Sequence, residues 1–466
     1  ERFAGDLRTE NAIGRSRRAI LEKLPLLVLA TISSVVTILA QEPALASLEQ
    51  MDIASRLTNA LVSYGRYILQ MIWPLRLAVH YPHADEPQYV WASVMGVLLL
   101  FVTFLSFRYG RRSKYLPVGW LWYLITLLPV IGILQVGGQS HADRYTYIPL
   151  TGIVLILGFG TAEWLDRHPA FRRAAAAVAV CILLAASALT WRQLGFWKDS
   201  ITLYTWTAQV TRNNSRILTN HAIVLMEMDR LDEAMLKLQE AVTVAPHDTM
   251  AIGAMGSALL RQGRLQEALI WNARAFSMAA PNNKVASAAL GANLVRLRRF
   301  QEAEPLLRKA LEIDNRFADA WAQLAIVLQH TGRLDEAVQA STTALDIEPD
   351  LATGHLALAG ALLRKGDFAA AAEAYMKTVQ LAPDPAAWFN LAGCLAKTGR
   401  LVEAENAYKE ALRLNPELAV AHYQLAVLML ESGRIDEARA RLEEVLRLDP
   451  DNDQARILLD ETERRN

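Results

Sequence analysis

The pattern of apolar and polar positions divides the chain in two. Up to about residue 191 the apolar residues come in long uncharged runs. Beyond that point they recur at three- and four-residue spacing inside short segments separated by polar turns. Five runs, at 24–40, 90–107, 115–135, 148–165 and 174–191, are long and apolar enough to be read as membrane spans. Tryptophans and tyrosines stand at their ends (Trp91, Tyr115, Trp120, Trp164, Trp191), where an amphipathic ring prefers the headgroup level. The stretch 60–79 is also apolar, but Arg66, Gln70 and Arg76 interrupt it, and a mid-bilayer charge costs about 2.5–3.5 kcal/mol. Ile53, Leu57, Leu61, Tyr64, Ile68 and Met71 recur there at helical spacing. They predict an interfacial helix near 53–73 that stops close to Pro74, rather than a sixth span.

From residue 215 onward the sequence repeats with a period of 33 to 35 residues. Each unit carries a small alanine at an equivalent place: Ala234, Ala268, Ala303, Ala337, Ala371, Ala404 and Ala438. A glycine precedes it in five units (Gly263, Gly332, Gly366, Gly399, Gly433), with Asp229 and Arg298 in the other two. Prolines end most units, at 246, 281, 349, 383, 416 and 450, where a helix must stop. The period is that of the tetratricopeptide (TPR) repeat, a helix hairpin that buries its apolar face only by stacking on its neighbours. The fold class expected is therefore all-α, with multi-pass transmembrane helices followed by an α-solenoid of about seven repeats. Its parts are a cytoplasmic segment at 1–23, a membrane domain at 24–191, a connecting half-repeat helix at 192–214, repeats over 215–452 and a solvating cap at 453–466.

Charge orients this arrangement. The segments 1–23, 108–114 and 166–173 hold most of the N-terminal Lys and Arg, so the positive-inside rule makes that side cytoplasmic. With five spans the repeats lie outside the cytoplasm, and a bacterial inner membrane is the expected setting. The net charge of zero hides an excess of five positive charges over residues 1–191 and of five negative over 192–466. Neither half is basic enough to suggest nucleic acid. Cys181 and Cys394, the two cysteines, lie in different segments and read as buried thiols rather than as a disulfide or metal ligands. No cofactor or metal site is evident. The chain opens on Glu1 behind no recognisable signal peptide, which leads us to expect a missing upstream part.

Two places carry candidate chemistry. Toward the end of the solenoid the first helices place Leu356, Phe389, Asn390, Tyr423, Val427 and Leu430 on the expected groove. A protein or peptide ligand could be held there through apolar anchors and amide contacts, or these residues could simply pack the inner wall. No basic clamp for an acidic chaperone tail is apparent. The second place is the polar, aromatic turn after the third run, with His141, Asp143, Arg144 and Tyr145. A guanidinium there suits a lipid phosphate, and a nearby carboxylate can orient it. The same two residues could instead form an Asp–Arg pair that fixes a tight turn.

The string QVGGQSHADRYTYIPL, followed by a span and TPR repeats, resembles the transmembrane and TPR-repeat-containing O-mannosyltransferases and their bacterial relatives. The stretch Tyr64-Gly-Arg-Tyr through Trp73-Pro74, with Tyr81-Pro82 after it, is similar to the segment that precedes this turn in that family. The resemblance implies a GT-C-type glycosyltransferase that passes a sugar from a polyprenyl-phosphate carrier to a protein hydroxyl on the outer face. It also implies an acidic catalytic motif in the first external loop, for which this sequence offers no equivalent; Asp85-Glu86 comes too late in the chain. Two readings follow, the rear part of a lipid-linked-sugar transferase and a non-catalytic membrane-tethered TPR scaffold.

Overall fold

A computed structural model describes residues 53–84, 86–132 and 139–464. The expected span at 24–40 and the segment 1–23 lie outside the described residues. Among the described residues there are 21 α-helices and no strand. The chain divides into two compact units, 1–224 and 225–466.

The first unit contains α1 (Ile53–Ile72), α2 (Tyr89–Gly110), α3 (Tyr115–Leu127), α4 (Pro149–Arg167), α5 (Arg172–Phe196) and α6 (Ser200–Val210). Helix α1 ends two residues before Pro74, because the residue ahead of a proline is pushed out of the helical region. One of its faces is buried: Ala60, Tyr64 and Tyr67 pack with Trp120, Tyr123, Leu127 and Ile131. The ridge of large apolar residues expected to meet lipid is split between two faces. Ile53, Leu57 and Leu61 are exposed, whereas Tyr64 is buried and Ile68 packs on the core.

Helix α3 has 13 residues, so the run at 115–135 is shorter as a helix than its hydropathy predicts. It stops before Pro129, which has no N–H to donate, and a turn with Gly132 at φ 95° follows. At about 1.5 Å per residue such a helix reaches only part-way across a hydrocarbon core of about 30 Å. It is pinned instead by side chains: the Tyr123 hydroxyl donates to the Tyr64 carbonyl (2.5 Å) and the Tyr64 hydroxyl to the Leu124 carbonyl (2.9 Å). Helices α3 and α4 touch backbone to backbone at Gly119 and Gly152. A Cβ on Gly119 would lie 2.4 Å from the Gly152 carbonyl oxygen.

Two helical stretches, Tyr89–Gly110 and Pro169–Phe196, are long and apolar enough to cross a membrane. Neither is the buried core helix of a water-soluble unit, since 11% and 0% of their apolar windows are covered. This also corrects the reading of the thiols. Cys394 is buried, but Cys181 is exposed, because α5 buries none of its side chains.

Seven helix pairs follow. They are α7 (Ser215–Glu227) with α8 (Leu231–Val244), α9 (Thr249–Arg261) with α10 (Leu265–Met278), and α11 (Lys284–Arg296) with α12 (Phe300–Ile313). Next come α13 (Ala318–His330) with α14 (Leu334–Ile347) and α15 (Ala352–Lys365) with α16 (Phe368–Leu381). The last pairs are α17 (Pro385–Lys397) with α18 (Leu401–Leu414) and α19 (Ala419–Glu431) with α20 (Ile435–Leu448); α21 (Asp453–Arg464) closes the array. All seven repeat alanines, from Ala234 to Ala438, are 0% exposed, so each is where two helices come too close for a larger side chain. The turn inside each pair needs a left-handed residue. Gly263, Gly332, Gly366, Gly399 and Gly433 supply it at φ 76–86°, and Asp229 and Arg298 adopt φ 59° and 60° at the same place. Six of the seven second helices start on an arginine whose guanidinium pairs with a glutamate three residues on, as in Arg264–Glu267 (2.7 Å) and Arg299–Glu302 (2.7 Å). The fifth repeat has Asp367 instead, which caps the helix by accepting from the Ala370 N–H (3.1 Å).

Candidate functional site

The site in the first unit is a loop held by two others. After the third run the chain returns through residues 139–148 over α1, and residues 73–84 form the opposing wall. Ser140 is the stitch: its N–H donates to the Tyr81 carbonyl (2.9 Å), while its own carbonyl accepts from Asn59 Nδ2 (2.8 Å). The Ala142 N–H donates to the Tyr67 hydroxyl (3.2 Å). These bonds place His141 face to face with Tyr81, ring centroids 4.0 Å apart, and edge-on to Tyr67.

His141 is 6% exposed. Its Nδ1 pairs with Ser140 Oγ (2.8 Å) and its Nε2 is 3.4 Å from Gln70 Nε2. Burial, with Arg66 and His83 nearby, pushes its proton affinity down to about 3, so the ring is neutral at physiological pH. Asp143 opens a short 3-10 turn over 143–146, whose backbone is braced by Thr146 Oγ1 donating to the Asp143 carbonyl (2.7 Å). Its carboxylate does not pair with Arg144. The Tyr81 hydroxyl, 3.0 and 3.1 Å from its two oxygens, donates to it and accepts from the Ala78 N–H (2.8 Å) and Gln70 Nε2 (3.2 Å). Burial raises the Asp143 carboxyl to about 6, against the opposing effect of the Tyr81 bond. A carboxyl so placed exchanges its proton close to neutral pH, as general acid–base groups do.

Arg144 is exposed, its guanidinium 5.2 Å over the Tyr145 ring, and among the described residues it has no carboxylate partner. Tyr145 is half-buried and accepts from Gln139 Nε2 (3.2 Å). The four residues singled out in the turn thus divide: His141 and Asp143 belong to a buried network, and Arg144 presents a cation outside it. Tyr81, Gln70, Asn59 and Ser140 complete the network. Tyr81 and Ser140 lie inside the two stretches that carry the family resemblance and Gln70 was read only as a polar interruption of an apolar run, whereas Asn59 left no signal. The connecting helix α6 also docks here, by Trp206 Nε1 donating to the Leu77 carbonyl (2.9 Å) and Asn214 Nδ2 to the His80 carbonyl (3.1 Å). Among the described residues no group of three or more His, Cys, Asp or Glu could hold a metal ion.

In the second unit the candidate groove residues sit on three first helices. Leu356 on α15 is 39% exposed. Phe389 and Tyr423, at the same repeat position on α17 and α19, are half-buried and pack on the core cluster, with the Phe389 ring 5.7 Å from Tyr408. Asn390 turns to the Tyr375 hydroxyl instead of staying open for a ligand backbone. Val427 and Leu430 line a pocket of about 250 Å³ with Leu458 and Glu461 of α21.

Models of the tetratricopeptide repeat match residues 219–283 and 356–419 in one form, and 294–350 and 395–460 in another. The protein O-mannosyl-transferase TMTC3 of Homo sapiens is 24% identical over 301 residues, 64% of this chain and 30% of the human one. That of Mus musculus is 24% identical over 337 residues, 72% and 34% of the two chains. The mouse match is longer than the stretch from 215 to 466, so it takes in part of the first unit. The chain spans about a third of the length of these curated relatives. A chain of the APC/C hetero-tetramer Cut9-Hcn1 superposes with a TM-score of 0.50 at 18% identity, covering 56% of this chain and 52% of that one. That likeness concerns the fold. The second unit is therefore a tetratricopeptide-repeat solenoid, in a chain related at low identity to the protein O-mannosyl-transferases.

Proposed function

We propose that this chain is part of a membrane glycosyltransferase that takes a sugar from a polyprenyl-phosphate carrier and passes it to a protein hydroxyl outside the cytoplasm. The observation that supports this most is the relationship to protein O-mannosyl-transferases, which runs beyond the repeats into the first unit. In this reading the membrane is crossed by α2 and α5 together with further spans, and α1 lies in the interface with Ile53, Leu57, Leu69, Ile72 and Trp73 toward lipid. The loop at 139–148 then stands at the outer surface. Arg144 offers the carrier phosphate a fork of N–H donors that stays charged at any relevant pH. The buried His141–Tyr81–Asp143 network holds that loop to α1 and fixes where the guanidinium starts from. The repeats present the acceptor polypeptide along Leu356, Phe389 and Tyr423. A scaffold without chemistry, tethered to the same membrane, is the second reading; the exposed, half-apolar groove supports it equally.

Topology and activity test the proposal together. Protease added to intact spheroplasts should digest the chain after residue 197 and spare 108–114, and membranes holding the full gene product should transfer mannose from polyprenyl-phosphate-mannose to protein. Protected repeats would reverse the orientation. Accessible repeats without transfer would leave the scaffold.

A further inference from the structure

The last turn of the first helix carries a cation in four of five consecutive repeats, Arg261, Arg296, Arg364 and Lys397, and a histidine, His330, in the middle one. In the first and seventh repeats the same position is Glu227 and Glu431. This row differs from the arginines that start the second helices, which are neutralised by glutamates three residues on. Arg261 and Arg364 donate to backbone carbonyls of the preceding repeat, Met226 (2.7 Å) and Gln329 (2.6 Å). Arg296 and Arg298 are exposed and have no carboxylate partner among the described residues.

Around the middle of the row the features converge. Arg298 holds φ 60° where five repeats use glycine, a conformation that costs about 1 kcal/mol or more for a residue with a Cβ. Asp229 takes the same conformation in the first repeat. The Phe300 and His330 rings stack at 4.4 Å, and both line a pocket of about 500 Å³ with Arg298 and Thr331. The proton affinity of His330 is lowered by burial first and then by Arg298 and Arg364, so the ring is neutral near pH 7.

We propose that this row, centred on Arg296, Arg298 and the Phe300–His330 stack, binds an extended acidic polypeptide segment. Neighbouring helices pack about 8–10 Å apart, and an extended polyproline-II chain advances about 3.1 Å per residue with three residues per turn, so acidic side chains at every third position face the same way and meet the row once per repeat. A flat anionic membrane fits less well. Glu302 and Glu336 stand beside the row, where a broad anionic surface would meet them and a single extended strand need not. The site is independent of the transfer chemistry proposed above and would serve either reading.

The test uses the full chain in phosphatidylcholine nanodiscs and a labelled peptide with glutamate at every third position. The variant is Arg296→Gln with Arg298→Gly; glycine is what five of the other repeats carry, so the fold should be kept or stabilised. We expect the double variant to bind about tenfold more weakly, and a glutamine version of the peptide to bind neither protein measurably. Affinity within about twofold of the parent, in a variant whose melting temperature is not lowered, would overturn the proposal. So would equal capture of the glutamine peptide. Loss of co-sedimentation with phosphatidylglycerol vesicles, with peptide binding unchanged, would make the row a lipid contact and also refute it.

Discussion

The Tyr81 hydroxyl lies 3.0 and 3.1 Å from the two carboxylate oxygens of Asp143, a residue 62 positions further along the chain. The bond ties the loop before α2 to the loop before α4, and Arg144 follows immediately after the tied residue. Removing the hydroxyl leaves a largely buried carboxyl without its main donor, which costs about 1–3 kcal/mol. Tyr81→Phe should therefore loosen residues 139–148, seen as faster amide exchange there, with the repeats unchanged. Because the Tyr81 bond lowers the Asp143 proton affinity, the variant should also raise it further above about 6.

The same network makes the loop acid-sensitive. His141 is held down to about 3 and His83 to about 4, both chiefly by burial. Each histidine therefore costs stability as pH falls below its unfolded value of 6.5. Asp143 has the opposite sign: its proton affinity is raised to about 6, so its native form gains as pH falls from 6 toward 4. Two histidines against one carboxyl leave the unfolded loop binding one more proton in that window. Loop protection should drop by up to about 1.4 kcal/mol per pH unit between pH 6 and 4, measured by exchange at several pH values. Protection that rises on acidification would mean that Asp143 dominates.

How much of this was legible in the sequence depends on the range of the interaction. The repeat alanines, the turn glycines and the terminating prolines are local signals, and each maps onto a buried contact, a left-handed turn or a helix end. Asp229 and Arg298 could be placed in those turns only by alignment with the glycines. The short α3 was misjudged because hydropathy counts residues 128–135 as apolar, whereas Pro129 decides that the helix has ended. The Tyr81–Asp143 bond and the Tyr81–His141 stack join segments far apart in sequence, and no periodicity reports them. The alternative Asp143–Arg144 pair was the neighbour reading, and a tyrosine from another loop takes the carboxylate instead.

Asn272 gives the third prediction. It is 1% exposed on α10 and, among the described residues, neither amide atom has a hydrogen-bond partner. It faces Gly256, where a Cβ would lie 2.0 Å from its Oδ1. The equivalent pair in the next repeat is Gly291 with Leu307, which is 0% exposed. Asn272→Leu reproduces that packing and removes an unsatisfied amide, so it should stabilise the solenoid by about 1–2 kcal/mol in urea unfolding. Gly256→Ala should destabilise it.

Phe389 and Tyr423 serve two purposes if they anchor a polypeptide, because each also packs on the core. Phe389→Ala with Tyr423→Ala should weaken capture of an acceptor by on the order of 2 kcal/mol per ring, measured by titration on protein whose helical circular dichroism is intact. Unchanged capture by the folded double variant would assign both rings to packing alone.

The account rests most directly on Arg144. Its exposed guanidinium follows an anchored carboxylate and pairs with none among the described residues, and the carrier phosphate is the partner proposed for it. The decisive measurement is mannose transfer from polyprenyl-phosphate-mannose by membranes holding the full gene product with Arg144→Lys, normalised to folded protein. Lysine keeps the charge and loses the fork, so transfer should fall by about tenfold or more while abundance stays normal. Transfer at the parental rate per molecule of folded protein would contradict the assignment of the loop to the carrier phosphate.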